Sequence, residues 1–103
     1  MAAAFVTFHR LALREYQAAQ RWYARRSLQA LRRFQGAVDQ AVERIASGPD
    51  QWPPFGKSYR WVRASKFPYV LYYRILDGNR VLIMAVAHSR RRPGYWRRRR
   101  SGS

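Results

Sequence analysis

The sequence predicts an α+β fold, in the order β-α-α-β-β-β, with a helical hairpin packed on one face of a small, largely antiparallel four-stranded sheet. Three observations carry this expectation. Residues 10–26 and 27–47 repeat their apolar side chains at helical steps, which gives each segment one greasy face. Residues 57–87 turn instead to branched and aromatic blocks, of which Val81 to Ala87 (VLIMAVA) is continuous enough for a central strand. Between the last two blocks stands Asp77-Gly78-Asn79, a hairpin turn whose glycine and asparagine tolerate positive φ.

Taken in order, Phe5 to Phe8 is a short first strand. Ala12, Tyr16, Ala19 and Tyr23 then share one face of a first helix, opposite Arg14, Gln17, Arg21 and Arg25. Ser27 interrupts this pattern and can cap a second helix, whose stripe runs Leu31, Phe34, Val38, Ala41 or Val42, and Ile45. Ser47-Gly48-Pro49 ends it: the glycine is suited to a left-handed cap and the proline cannot continue the helix. Asp50 to Gly56 (DQWPPFG) reads as a connector, because two prolines forbid helix and disfavour an internal strand. Three strands follow, Lys57 to Ser65, Tyr69 to Leu76 and Val81 to Ala87. Two helices cover one face of such a sheet, so the other is expected to stay open and to gather arginine and aromatic side chains. The domain is expected to span residues 1–96, with 97–103 (RRRRSGS) a mobile basic tail.

Composition narrows the function. A chain of 103 residues is one domain, and 48% hydrophobic content separates it from disordered proteins. Lysine and arginine total 21 against 5 acids, a net charge of +16, so the chain should seek nucleic acid or an acidic protein. Apart from Lys57 and Lys66 the cations are arginines, which favours forked contacts with phosphates. There are no cysteines and only two histidines, His9 and His88, so neither a disulfide, nor a metal centre, nor any cofactor is expected. His9, between the first strand and first helix, has no partner in reach by sequence and reads as structural. No run approaches a membrane span and no signal segment precedes the first strand, so a soluble, cytoplasmic protein is expected, without a membrane partner.

Several pieces in fixed order resemble a known family: Trp22-Tyr23 near the end of helix one, Ile45 to Pro49 closing helix two, Arg60 followed by FPYVLYYRI up to Ile75, and VLIMAVAHSRR from Val81 to Arg91. Over residues 5–96 the chain is similar to the RelE/ParE superfamily of bacterial toxins. The resemblance implies a toxin of a type II toxin-antitoxin pair, held silent in a hetero-oligomer by a smaller, acidic antitoxin. RelE-like members cut messenger RNA on the ribosome; ParE-like members poison DNA gyrase and have no known nuclease site.

Metal-free RNA cleavage needs a base for the 2′-hydroxyl, cations on the phosphate and an acid for the leaving oxygen. His88, ending the last strand, suits proton transfer at neutral pH. The resemblance sets Arg90 on the scissile phosphate, Arg60 as a basic residue of the second strand, and Tyr95 or Trp96 as the C-terminal aromatic that stacks on a base. The expected catalytic set is therefore His88, Arg90, Arg60 and Tyr95, with Arg63, Arg91, Arg92, Trp96 and Tyr69 as nucleic-acid contacts. The chain also departs from the RelE-like pattern. Tyr69 stands where an essential arginine is carried, Val62 replaces a second basic residue, and the glutamate base of some branches is missing. The expectation is ribosome-dependent mRNA cleavage, narrowly ahead of gyrase poisoning, with a small basic nucleic-acid-binding module as a third reading.

Overall fold

β1 (Phe5–Phe8) passes directly into α1 (Arg10–Arg26) because His9 caps the helix: its Nδ1 accepts the Leu11 N–H at 3.0 Å. Ser27 alone separates α1 from α2 (Leu28–Ser47). Its N–H closes α1 on the Tyr23 carbonyl and its Oγ accepts the Ala30 N–H at 2.9 Å, so one extended residue ends one helix and starts the next. The structure, a computed structural model, describes residues 3–100. At the far end of α2, Gly48 has φ −167°, extended and not the expected left-handed cap. A Cβ there would lie 2.6 Å from the end of the Gln51 side chain, so a larger residue would have to displace that flexible amide.

Among the described residues the sheet has five strands, in the order β1-β5-β4-β3-β2, where β2 is Pro54–Phe55, β3 Tyr59–Arg63, β4 Tyr69–Asp77 and β5 Arg80–His88. Only the β1–β5 pair is parallel. The fifth strand corrects the expectation of four. The two-residue β2 falls in the proline-rich connector, and it is possible there because it is an edge, where a proline need not donate to a neighbour. Gly56, at φ +66°, turns it into β3. The Asp77 turn forms without positive φ at Gly78 or Asn79; instead Asp77 Oδ1 accepts the Asn79 N–H while its Oδ2 pairs with Arg80 at 2.9 Å.

The two faces of the sheet are covered differently. α1 and α2 bury Phe34, Val38 and Ile45 against Leu71, Tyr73 and Ile83. The opposite face is not open as expected. Trp96, fully buried, sits on Leu82, Met84 and Ala87, ringed by Phe55, Tyr59 and Tyr72. Aromatic side chains do collect on this face, but they bury one another. Residues Arg97 to Arg100, the described part of the expected tail, are held by contacts to the body; 101–103 lie outside the described residues.

A β-bulge sets the phase of β5. Tyr73 pairs with Ile83 and Tyr72 with Ala85, leaving Met84 as the extra residue. Before it Val81 and Ile83 face the helices; after it Val86 does, and His88 with it. Without the bulge, strict alternation along the same sequence would turn His88 to the other face. Among the described residues no helix is long and apolar enough to cross a membrane.

Candidate functional site

The end of β5, the start of β4 and α1 from Glu15 to Arg25 line a cleft of about 440 Å³. His88 reaches it from β5 and pairs across strands with Tyr69 of β4, whose ring meets the imidazole edge-on at 5.2 Å. The His88 Nδ1 accepts the Arg90 N–H at 3.1 Å, which turns the chain out of the strand and fixes the ring. Tyr69 packs on Phe34 and Tyr23, and burial raises the pKa of its hydroxyl. Arg91 stacks over Tyr95, 3.7 Å from the ring centre, and both line the same cleft.

α1 supplies the opposite wall, with Glu15, Trp22, Tyr23 and Arg25 around the small residues Ala18 and Ala19. Glu15 is the only acidic residue of that helix. Its Oε1 accepts the Val86 N–H at 3.0 Å and Arg99 Nη1 at 2.9 Å. Its Oε2 accepts Arg99 Nη2 at 2.8 Å and the Tyr95 hydroxyl. The pair is largely sheltered from solvent, with side-chain exposures of 13% for Arg99 and 16% for Glu15. Arg99 Nη1 also donates to the Met84 carbonyl at 2.9 Å. Since β1 ends at Phe8, level with Ile83, these two side chains take β5 main-chain groups beyond the reach of that strand. The Tyr95 hydroxyl has its pKa raised, first by burial and then by the bond and charge of Glu15.

His88, Tyr95, Tyr69 and Arg91 are thus brought to one cleft, and the remaining expected residues are not. Arg60 sits opposite Tyr73, four positions along β4 from Tyr69, a separation of roughly 13 Å at the rise of a strand. Its Nη1 donates to the Trp52 carbonyl at 2.6 Å, which ties it to the connector. Arg63 pairs with Val70 and is exposed. Arg90 and Arg92 are exposed and do not line the cleft. Trp96 has no exposed surface, its ring lying 4.7 Å from Tyr59, 4.8 Å from Tyr72 and 5.6 Å from Phe55, so the stacking expected of it is already used inside the protein.

Sequence reasoning gave no site role to Glu15, Arg99, Trp22 or Arg25, reading Arg25 only as part of the polar face of the first helix. The signal available for Glu15 was its rarity, one carboxylate in a helix of arginines; Arg99 was hidden inside a run of four. His9 does have a distant partner. With Nδ1 accepting from Leu11, the proton is assigned to Nε2, which donates to the Arg100 carbonyl at 3.0 Å.

No curated protein matches the sequence. A family model does: that of the ParE toxin of type II toxin-antitoxin system, parDE, matches residues 6–93, from β1 to the start of the C-terminal segment, and the chain therefore belongs to this toxin family.

Proposed function

We propose that this toxin arrests growth as a non-enzymatic poison of DNA gyrase, working in the cytoplasm and silenced there by an acidic antitoxin. The observation that carries the reading is the state of Glu15. It is the one carboxylate lining the His88 cleft among the described residues, and both its oxygens are filled by Arg99, Tyr95 and the Val86 N–H. A general base must reach the proton it removes, and this carboxylate has no free lone pair directed at a substrate. Tyr95 donates to that same carboxylate, and Arg60 lies along the sheet from His88, so the groups that RNA cleavage would need do not converge on one phosphate.

Binding is what the surface suits. A toxin that traps gyrase must hold protein and DNA together, and a chain of +16 with an arginine-rich end is equipped to meet DNA phosphates. The antitoxin completes a hetero-oligomer by neutralising part of that charge. Ribosome-dependent cleavage of mRNA stands as a second reading because His88, Tyr69 and Arg91 do share one cleft.

Induced expression of wild type and His88→Ala, scored for growth, transcript integrity and the DNA-damage response, separates the two. The gyrase reading predicts arrest by both proteins, intact transcripts and induced damage response. It also predicts that purified toxin and gyrase convert plasmid to protein-linked, broken DNA. Cleaved transcripts that vanish with His88→Ala would move the protein to the RNA-cutting branch.

A further inference from the structure

Past Ser89 the chain forms an arm whose two sides differ in chemistry. The inner side is anchored at Tyr95, Trp96, Arg99 and Arg100. Trp96 plugs the sheet, Tyr95 and Arg99 converge on Glu15, and the Arg100 carbonyl accepts a hydrogen bond from His9 Nε2. Successive turns brace it internally: Arg97 N–H bonds the Gly94 carbonyl and Arg99 N–H the Trp96 carbonyl, each at 3.0 Å, with Gly94 at φ +83°. The outer side presents Arg90, Arg92, Arg98 and Arg100, and Arg91 and Arg97 are exposed as well, with their guanidiniums over the rings of Tyr95 and Phe55. Residues 94–100 lie beyond the stretch matched by the family model.

That outer side offers cations and no apolar anchor. Protein interfaces concentrate their energy in buried aromatic or aliphatic centres, which this surface lacks because its aromatics point inward. Single-stranded nucleic acid is held by bases stacking on open rings; here Trp96 is buried and Arg91 covers a face of Tyr95. A duplex phosphate backbone asks only for cations at fixed positions, and guanidinium forks suit its oxygens.

We propose that residues 90–100 form a preset arginine ridge that takes the phosphate backbone of duplex DNA, and that Glu15 is the positioning residue that presets it. The gyrase reading supplies the place where that duplex is met; the binding itself does not depend on it. Glu15 acts by spending one arginine, Arg99, to fix the others. A preset site loses less side-chain and loop freedom on binding than a loose one.

This account predicts a sign that charge alone does not. Glu15→Gln removes a negative charge and releases Arg99, so simple electrostatics would strengthen DNA binding. A preset ridge predicts weaker binding, by about three- to tenfold on a short DNA duplex, with faster amide exchange at Arg97 and Arg99. Glu43→Gln makes the same charge change on an exposed position of α2 and should leave affinity equal or slightly higher. Arg99→Lys keeps the charge but not the two-pronged pairing, and should behave like Glu15→Gln; it serves as the second probe if Glu15→Gln melts early. Alanine at Arg97 and Arg98 together should lower the magnitude of the log-affinity against log-salt slope by about two.

Tighter DNA binding by Glu15→Gln and Arg99→Lys, or unchanged exchange at Arg97 and Arg99, would overturn the positioning role. A salt slope indifferent to Arg97 and Arg98, or stronger and equally arginine-dependent binding to single-stranded RNA, would overturn the ridge as a duplex site. These measurements use toxin and naked DNA, so they can fail while gyrase poisoning stands, and gyrase poisoning can fail while they stand.

Discussion

The two faces of the sheet are covered by unlike amounts of chain. One lies under the whole α1–α2 hairpin, 17 and 20 residues of regular helix. The other lies under a short arm with one indole as its plug and one carboxylate as its clasp. Burial by a cooperative helical pair and burial by a single anchored segment have different consequences. The first is lost only when the molecule unfolds, whereas the second is a terminal segment whose release would leave the helix face packed, so the two are expected to open separately. The helix face sets stability, and the arm face is where a modest change can alter what the surface presents.

The largest effect that tests this contrast belongs to the helix face. Phe34 is fully buried and touches Tyr16, Tyr23, Phe67 and Tyr69. Phe34→Ala should cost about 3–5 kcal/mol in denaturant unfolding, with every probe moving in one transition. Trp96→Ala removes a larger side chain yet should cost less in global stability, because the loss is capped by the free energy of docking the arm. Its signature is early, separate loss of amide protection at Arg97 and Arg99. If Trp96→Ala instead unfolded the whole molecule in one step at a cost equal to Phe34→Ala, the two faces would be a single cooperative core.

Alkaline pH sharpens the comparison through two tyrosines. Tyr73, under the helices, has its hydroxyl bonded to the Pro49 carbonyl and its pKa pushed up to about 12, by burial first, with Arg60 opposing and Asp50 assisting. Tyr95, on the arm, is also raised, by burial and then by Glu15. A tyrosine held neutral by the fold contributes its full stability below pH 10, where the unfolded chain's phenols are neutral too. Above that value the unfolded chain ionises first, so stability falls as pH rises from about 10 through about 12. Tyrosinate absorbance should place Tyr73 late in wild type and in Glu15→Gln alike. Tyr95 should ionise earlier in Glu15→Gln, which loses the carboxylate's charge. A Tyr73 that shifted with Glu15→Gln would show the faces to be coupled.

Much of the helix face was legible in the sequence, and little of the arm face was. Phe34, Val38 and Ile45 announce their burial through spacing along one helix, and Ser27 reveals its cap by interrupting that spacing. Such local patterns survive reading one residue after another. The bulge at Met84 left no such trace, because in a run apolar on every residue an extra one does not disturb the pattern, though it decides which face His88 joins. The arm was hidden for a related reason. Four arginines in a row read as solvated charge, and what distinguishes Arg99 from its neighbours is a glutamate 84 residues away. Of the candidate site, His88, Tyr69, Arg91 and Tyr95 were legible as neighbours because one hairpin and its exit carry them; the α1 wall facing them was not.

The smallest expected effect concerns the plug itself. Trp96 Nε1 is buried with no hydrogen-bond partner among the described residues. Leaving such a donor unpaired costs about 1–3 kcal/mol, against which the indole's contacts with Phe55, Tyr59 and Tyr72 must work. Trp96→Phe removes the unpaired N–H and some volume together, so the lost packing and the relieved donor oppose each other. The arm should stay docked, with stability within about 1 kcal/mol of wild type and near-normal protection at Arg99. Were Trp96→Phe as damaging as Trp96→Ala, the indole's full shape would be what holds the arm. The comparison between faces would then rest on packing on both sides, with Glu15 merely completing a fit that Trp96 had already fixed.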